Sequence, residues 1–587
     1  MIKMISNRFQ NLYWKQYLFL IFIYYINFIP ESFVVFRYPD IIYTLQHFYF
    51  SRILFSDFDI NNKLSELIIS PSNAAFIFTP GVFYLIELLK DFKSIIFFTH
   101  ISNIIFIFLF YKLLRKKSSD QLSIILSIIL ILLSVNVQWF GPDYIALPYM
   151  MGVVFLLFYF DNLSRSRIAL IGILCGIIFI FKQNFGLFFL IAASTSIFFL
   201  CLKERTKTSL FSLLLVFVYL TYGVYFFFIS NFLINKIFFL SSYFIFWFYV
   251  AYLLSAKLSF NSTLYLKNQS VLVFFALIIP SFLIIIFGNV IGYKNYLYSL
   301  FGMGFDFINF WELNIYQMIT TLKVRDLNEI YIALNKSFGL IFPFFLNFFL
   351  IYSLVKLDKK NFNYELCRKF SILSFGLISI FLFFPFEDFR ISGTKIFIYL
   401  FIFSYFFFNI KFYLKYYIIS IIFVLFIFIQ GYHSYNKFNE VILNATNIHD
   451  KHFKTIINIK LKKSTATNLD NILNHIDTNI GEQPFYLISQ DLHLTPLLLR
   501  NISNLQYYYR LDNEFLNERL VAEIKLKLDK ISYVIVSQNE FYSNFQNSKN
   551  INFLILINYV KDNFKIISSY DNTSKYLPKI LILKKIN

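Results

Sequence analysis

The chain has 587 residues, of which 58% are hydrophobic, 22% aromatic and only 15% charged, and this composition excludes an ordinary water-soluble globular protein. The many Phe and Ile residues also exclude a disordered or collagen-like chain, and a count of three cysteines excludes a disulfide scaffold. The formal net charge of +20 does not indicate nucleic-acid binding, because the cations cluster in short loops between apolar runs.

The amino-terminal segment predicts a membrane helix that is retained. Lys3, Arg8 and Lys15 precede the apolar run 17–36, and no small-residue cleavage site follows it. We therefore expect the amino end of the first helix to lie in the cytoplasm, since cationic flanks mark that side of a membrane. The later cationic clusters mark the same side, at 112–117, 165–167, 203–207, 257–267, 356–369 and 411–415.

The apolar runs between these clusters predict about 13 membrane spans over residues 1–431. They are expected near 17–36, 94–111, 122–138, 143–160, 168–182, 186–202, 208–229, 237–254, 270–289, 338–355, 370–385, 395–408 and 413–431. Segment 76–89 is predicted to lie on or dip into the outer surface, because a full span there would move the 112–117 cluster outside. The predicted outer loops are 37–79 and 290–337.

Residues 432–587 have a different character and predict a soluble α/β domain on the extracytoplasmic side. Strands are expected at 485–489, 532–536, 565–569 and 579–583, and a helix at 514–530 with Asp512 or Asn513 as its cap. The polar stretch 444–479 is interpreted as the connection to the membrane. The predicted fold class is therefore mostly α, a polytopic membrane helical bundle with a C-terminal soluble α/β domain.

Acidic and basic residues collect at the predicted outer boundary. They lie in four separate connections. The first loop carries Asp40, Asp57 and Asp59, Asp143 begins one span, Lys182 ends another, and the segment PFEDFR at 385–390 contains Asp388 and Arg390. Ionisable groups from several loops on a rigid helical scaffold are typical of a site in a membrane enzyme.

The order of these segments resembles the GT-C superfamily of membrane glycosyltransferases, which take a sugar from a polyprenyl phosphate. This superfamily includes the lipid A aminoarabinose transferases and the protein O-mannosyltransferases. The matching segments are YPDIIY from 38, FTPGVFY at 78–84, which ends in Tyr84, GPDYIALPYMMGVVFLL from 141, GILCGIIFIFKQNFGLFFL from 172 and PFEDFR from 385. Together they span most of the chain.

The resemblance implies a role for each matching residue. Asp40 would be the general base that takes the proton of an acceptor hydroxyl, with inversion at the sugar. Lys182 and Arg390 would neutralise the departing lipid phosphate. Asp143 would orient the acceptor or hold a divalent cation, a cofactor that the sequence leaves open. No second acid is adjacent to Asp40. If Asp40 is not the base, Asp57 in the same loop is the next choice, since a base need only reach the acceptor hydroxyl.

Each of these residues also has a structural interpretation. Asp40 follows Pro39 and could cap a turn, and Asp143 could be the N-cap of the next span. A lysine at the end of a helix commonly extends to the membrane interface, as Lys182 could. Asp388 and Arg390 could pair with each other.

The sequence thus favours a plasma- or inner-membrane glycosyltransferase with a polyprenyl-phosphate-linked sugar as donor and a glycan, lipid or protein as acceptor. Its expected partners include membrane lipids and no nucleic acid. The alternatives are a transporter or lipid flippase without transferase activity, and a glycan polymerase or ligase that uses a lipid-linked oligosaccharide. A transporter would place ionisable groups near the bilayer midplane, whereas here they lie at the outer ends of the spans.

Overall fold

A computed structural model describes two groups of elements, a helical part and a smaller α/β part. The described residues are 14–29, 35–36, 92–116, 119–134, 146–159, 164–181, 183–204, 210–229, 241–256, 258–291, 293, 367, 370–372, 374–375, 445–447, 460–481, 483, 485–488, 518–542, 551–570 and 579–586. All structural statements below concern these residues.

The helical part is formed by apolar helices in the first half of the chain. Their bounds are α1 Trp14–Ile29, α2 Phe92–Arg115, α3 Asp120–Ser134, α4 Ala146–Tyr159, α5 Arg165–Phe181, α6 Gln183–Leu200, α7 Leu210–Ile229, α8 Ser241–Ala256 and α9 Ser262–Ile291. Each of the first nine predicted spans coincides with one of these helices. The spans predicted from 338 onwards lie outside the described residues, apart from short helical pieces between 367 and 375.

The first predicted span is wrong at its carboxyl end. Helix α1 ends at Ile29, and Val35–Phe36 is a strand, β1, rather than the last turn of the helix. Pro30 supplies the reason, because its ring disfavours the helical conformation in the residue before it.

Two polar connections close one end of the bundle. Arg115 at the end of α2 pairs with Asp120 at the start of α3, which joins the two helices across a short turn. The antiparallel strands β2 (Leu202–Glu204) and β3 (Leu258–Phe260) likewise hold the end of α6 beside the start of α9. These connections contain predicted cytoplasmic cations, so they belong to the side that the sequence assigns to the cytoplasm.

Helices α5 and α9 pack closely at two glycines. A β-carbon on Gly172 would lie 2.6 Å from the Leu272 carbonyl oxygen, and one on Gly176 would lie 2.7 Å from that of Ala276. Pro280 has no N–H to donate to the Ala276 carbonyl four residues earlier, so this carbonyl lacks its usual helical partner. Glycine is therefore required here for close approach, which is the usual role of small residues four positions apart in packed apolar helices.

Aromatic rings fill the interior between α6, α7 and α8. Trp247 is fully buried, and its ring stacks on Tyr219 with centroids 4.5 Å apart. Phe198 and Phe199 of α6 pack around the same indole. Cys175, Cys201 and Cys367 are buried free thiols, as predicted.

The C-terminal part is a four-stranded mixed sheet with helices. Its strands are β6 Phe485–Ile488, β7 Tyr533–Ser537, β8 Phe564–Tyr570 and β9 Ile580–Lys585, and its helices are α10 Lys463–Asn479, α11 Glu518–Leu528, α12 Gln538–Phe541 and α13 Ile551–Asn563. The order is β6-β7-β9-β8, with β6 parallel to β7 and the other pairs antiparallel. All four predicted strands are confirmed within two residues.

The predicted connection 444–479 is wrong as a plain linker. It contains β4 (Ala445–Asn447), β5 (Lys460–Lys462) and the whole of α10. Strand β5 is central in a second sheet, parallel to β1 and antiparallel to β4. Leu469, Ile472 and Ile476 recur at helical spacing and are buried, so their side chains hold α10 in place despite the many Asn and Thr residues around them.

Candidate functional site

The residues predicted to form the site lie outside the described residues. These are Asp40, Asp57, Tyr84, Asp143, Lys182, Asp388 and Arg390. The structure does describe the elements that adjoin three of them: β1 before Asp40, α4 after Asp143, and α5 and α6 on either side of Lys182.

Helices α4 and α6 both pack against α5, which follows the one and precedes the other after connections of at most five residues. Because such short connections make each successive pair antiparallel, α4 and α6 run in the same direction. A β-carbon on Gly152 would lie 2.7 Å from the Phe189 ring, and the Phe155 and Phe189 rings pack with centroids 4.8 Å apart. Gly152 is the seventh residue of α4 and Phe189 the seventh of α6. The starts of the two helices are therefore level, and these are the ends next to Asp143 and Lys182.

Strand β1 fixes the beginning of the first loop against the C-terminal part. Val35 pairs with Lys460 and Phe36 with Leu461 in a parallel ladder. Because the strands are parallel, the carboxyl end of β1, which leads to Asp40, lies at the same edge as Lys462 and the start of α10. The chain before the proposed base is thus joined to the segment that enters the C-terminal domain.

A buried polar group lies between α1 and α2, the helices on either side of the first loop. The Tyr24 hydroxyl lies 2.5 Å from His100 Nδ1, and Asn103 Nδ2 donates to the same hydroxyl at 3.3 Å. All three side chains are buried. The Tyr24 hydroxyl thus joins α1 to two residues of α2 that lie one helical turn apart.

A second, partly buried polar group joins α6, α7 and α9. Gln269 Nε2 donates to both the carbonyl and the hydroxyl oxygen of Ser194 at 2.9 Å, and the Ser194 hydroxyl lies 3.2 Å from that of Tyr219. Hydrogen bonds of this kind hold helices together in an apolar environment. They satisfy one another and do not form a nucleophile and base pair.

Charged residues are confined to the helix ends in the described part of the bundle. Within α1 to α9, Asp, Glu, Lys and Arg occur only within two turns of an end, for example Lys112 in α2 and Lys267 in α9. No three His, Cys, Asp or Glu side chains among the described residues come together to hold a metal ion.

The C-terminal domain has two ionisable groups with altered pKa values. His475 of α10 lies 2.6 Å by its Nε2 from the Ser568 hydroxyl of β8, and burial lowers the pKa of this imidazole. Tyr559 donates to Asp529, and burial together with that carboxylate raises the pKa of the phenol to about 12. Both groups join separate elements of the domain.

Sequence reasoning did not identify His100 or His475 as residues with specific partners. A histidine and an asparagine three residues apart in an apolar helix signal a buried polar face at His100, although the partner on α1 cannot be read from spacing. For His475 the signal is weaker, because Ser568 lies far along the chain and faces the helix only after a bulge in β8.

Comparison with known proteins finds a similarity among the solved structures. No protein-family model matches the chain, and no curated protein matches it. The chain is similar to the archaeal oligosaccharyltransferase AglB from Archaeoglobus fulgidus, solved in complex with an inhibitory peptide and a dolichol-phosphate. The TM-score is 0.40 and the identity 11%, over 96% of this chain and 75% of that chain. A likeness of this degree assigns neither a family nor an activity.

Proposed function

We propose that the chain is an inverting membrane glycosyltransferase that moves a sugar from a polyprenyl-phosphate donor to an acceptor hydroxyl on the extracytoplasmic side. The observation that carries the proposal is the order of motifs containing Asp40, Asp143, Lys182 and Arg390, which resembles one superfamily along most of the chain. The level starts of α4 and α6 support it, since they bring the helix ends beside Asp143 and Lys182 to one end of the bundle.

A membrane setting is supported by the surface of the described helices. Stretch Ser262–Ile285 of α9 is long and apolar enough to cross a bilayer, and only 17% of its most apolar window is buried inside the structure. Shorter apolar stretches occur at Asp120–Ile131, Phe185–Leu200, Phe211–Thr221 and Tyr243–Ser255. Phe217, Phe248 and Phe274 are more than half exposed on three different helices. Lipid is the solvent that such a surface requires.

In the proposed reaction Asp40 removes the proton of the acceptor hydroxyl as its oxygen attacks the anomeric carbon. The bond between that carbon and the phosphate oxygen breaks, and its electron pair leaves with the lipid phosphate. Lys182 and Arg390 neutralise the added charge, Arg390 with the fork geometry that suits phosphate oxygens. Asp143 orients the acceptor. Phosphate is a good leaving group, so cations serve it better than an acid would.

The main alternative is a transporter or lipid flippase. Such proteins place ionisable residues near the membrane midplane. In the described helices the charged side chains stay near the ends, and the interior polar groups such as Ser194 and Gln269 bond to one another. This arrangement favours a rigid helical scaffold, as in an enzyme, over the helices of a transporter, which must move to carry a substrate.

The test is transfer by the purified full-length protein from a polyprenyl-phosphate sugar, with Asp40→Asn beside the natural chain. We expect the substitution to lower kcat by about 10²- to 10⁴-fold, the usual contribution of a general base. Asp59→Asn in the same loop is the control and should keep its activity. Full activity in Asp40→Asn would contradict the base assignment and make Asp57→Asn the next variant, while a natural chain inactive with every lipid-linked donor would contradict the transferase.

Donor length separates this function from a glycan polymerase or ligase. Those enzymes use a lipid-linked oligosaccharide, so we expect the monosaccharide donor to be consumed and a long lipid-linked glycan to be left unchanged. The opposite result would favour the polymerase or ligase. Mass spectrometry of cell-envelope glycans with and without the protein identifies the acceptor.

A further inference from the structure

Helix α10 connects the sheet that contains β1, β4 and β5 to the four-stranded C-terminal sheet. It begins at Lys463, directly after β5, and it contacts both β4 and β5 at that end. With 17 residues it is about 25 Å long at a rise of about 1.5 Å per residue. Its start is therefore fixed by the sheet that contains β1, and its far end reaches the C-terminal sheet.

The far end of α10 is attached to the edge strand β8. His475 Nε2 lies 2.6 Å from the Ser568 hydroxyl, and the His475 ring packs 5.5 Å from the Tyr570 ring. The ladder between β8 and β9 shifts between Ile566 and Ser568, so a bulge sets the direction of the serine.

The register shows which face of the sheet α10 covers. Ser568 pairs with Ile582, and paired residues in adjacent strands point to the same face. Leu581 and Leu583 point to the opposite face, where they pack in the core with α11 and α13. Helix α10 therefore lies against the other face, whose apolar side chains, including Ile582, are also buried.

At the other end, β5 holds the chain that leads into the first loop. Val35 and Phe36 pair with Lys460 and Leu461, only four residues before Asp40. A continuous set of described contacts thus runs from Ser568 through His475, α10 and β5 to β1. Each step is a hydrogen bond, a packed helix or a strand ladder.

We propose that α10 couples the C-terminal sheet to β1, so that the C-terminal domain positions the start of the first loop. This inference rests on the proposed function for its catalytic meaning, because Asp40 is the base of that reaction. The C-terminal domain is then a positioning element for transfer, and His475 and Ser568 are positioning residues that act through α10.

The coupling is tested first without any activity, by a disulfide between Val35→Cys and Lys460→Cys in membranes. Neighbouring strands lie about 4.8 Å apart, which fits the separation that a disulfide needs. The natural cysteines are buried and should not compete. We expect rapid cross-linking in this double variant, and a rate at least threefold lower when Ser568→Ala or His475→Leu is added.

Two matched controls accompany these variants. Ser569→Ala changes the exposed neighbour of Ser568 on the same strand, and Thr478→Ala changes an exposed residue of α10 that bonds only within its helix. Both should cross-link at the rate of the parent. Equal rates in all variants would overturn the coupling, and so would a parent that does not cross-link at all.

The second measurement is transfer by Leu461→Pro, which removes a backbone donor from the central strand of the sheet. We expect kcat to fall at least tenfold with little change in the KM for donor, while hydrogen exchange shows β7 and β9 still protected. If the kcat of this variant equals that of the natural chain, the positioning role is overturned, but the proposed transferase function is not. If the natural chain transfers nothing, the proposed function fails, and the cross-linking rates still decide the coupling.

Discussion

At the scale of single residues, several described polar side chains are held by a partner from another element, while others bond to a carbonyl one turn earlier in their own helix. Tyr24 meets His100 across two helices, and His475 meets Ser568 across a helix and a strand. A buried polar atom is costly without a partner, so these pairs fix how the elements face each other. The structural role of each of these residues therefore depends on the partner that it contacts, and not on its residue type alone.

The hydroxyl of Tyr24 provides a first test at this scale. Tyr24→Phe removes the hydroxyl that bonds to His100 and Asn103. We expect a loss of about 0.6 kcal/mol and at most about 1.7 kcal/mol, the average and the maximum for hydrogen bonds between membrane helices. The measurement is unfolding of the purified protein in detergent. Tyr25→Phe is the control, because Tyr25 is 46% exposed on the same helix. Equal stability of Tyr24→Phe and the natural chain would show that the bond does not stabilise the bundle.

His475 predicts how the C-terminal domain responds to pH. Burial lowers the pKa of its imidazole in the folded domain, so the unfolded chain binds the proton more tightly. The stability of the domain is therefore complete above the unfolded pKa of about 6.5 and falls as the pH decreases below it. Hydrogen exchange of β8 between pH 7.5 and 5 measures this. His475→Gln should weaken the dependence, and an unchanged dependence would assign it to another group.

At the scale of secondary-structure elements, close packing of helices is decided by small residues. Helices α5 and α9 approach each other at Gly172 and Gly176, where the Leu272 and Ala276 carbonyl oxygens leave no room for a β-carbon. Pro280 frees the Ala276 carbonyl from its own helix. Pro280 therefore removes one backbone hydrogen bond of α9 at the point where α5 lies closest.

Gly172→Val tests this contact. The added side chain must displace the backbone of α9, and overpacking of this kind costs about 1 to 3 kcal/mol. A lower unfolding temperature of the purified protein is the expected result. Leu170→Val on the partly exposed face of α5 should change little. If Gly172→Val has the same unfolding temperature as the natural chain, α5 and α9 separate easily at this point.

At the scale of the whole molecule, the order of helices predicts which side each part occupies. The first turn of α5 carries the predicted cytoplasmic cations Arg165 and Arg167, whereas β1, which follows α1, pairs with β5 of the C-terminal part. A chain whose amino end is cytoplasmic then has α10 and the C-terminal sheet outside. The proposed reaction needs this arrangement, because the donor sugar and the site must meet on the outer side.

Cysteine labelling in intact cells tests the orientation. Asn474→Cys on the exposed face of α10 should react with an impermeant reagent added outside, and Ser164→Cys before α5 should react only after the cells are opened. The three natural cysteines are buried and should give little background. Reaction of Ser164→Cys from outside would reverse the predicted orientation and exclude an extracytoplasmic site.

Much of the architecture follows from the sequence because it depends on local patterns. Apolar runs separated by cationic turns predict the nine described helices, and short runs rich in apolar residues predict the four strands found at 485–488, 533–537, 564–570 and 580–585. Helix α10 was interpreted as a connection, since Asn and Thr dominate its sequence and only its buried face reveals it. The seven predicted site residues stay predictions, because they lie outside the described ranges.

The sequence by itself determined the apolar helices, the glycines at which two of them can meet and the strands of the C-terminal sheet, because each is written in neighbouring residues. Only the tertiary structure decided that β1 pairs with β5, that α4 and α6 start level and that His475 reaches Ser568. These contacts join residues that are up to several hundred positions apart. Local periodicity records which face of an element is buried, but it does not record the element against which that face is packed.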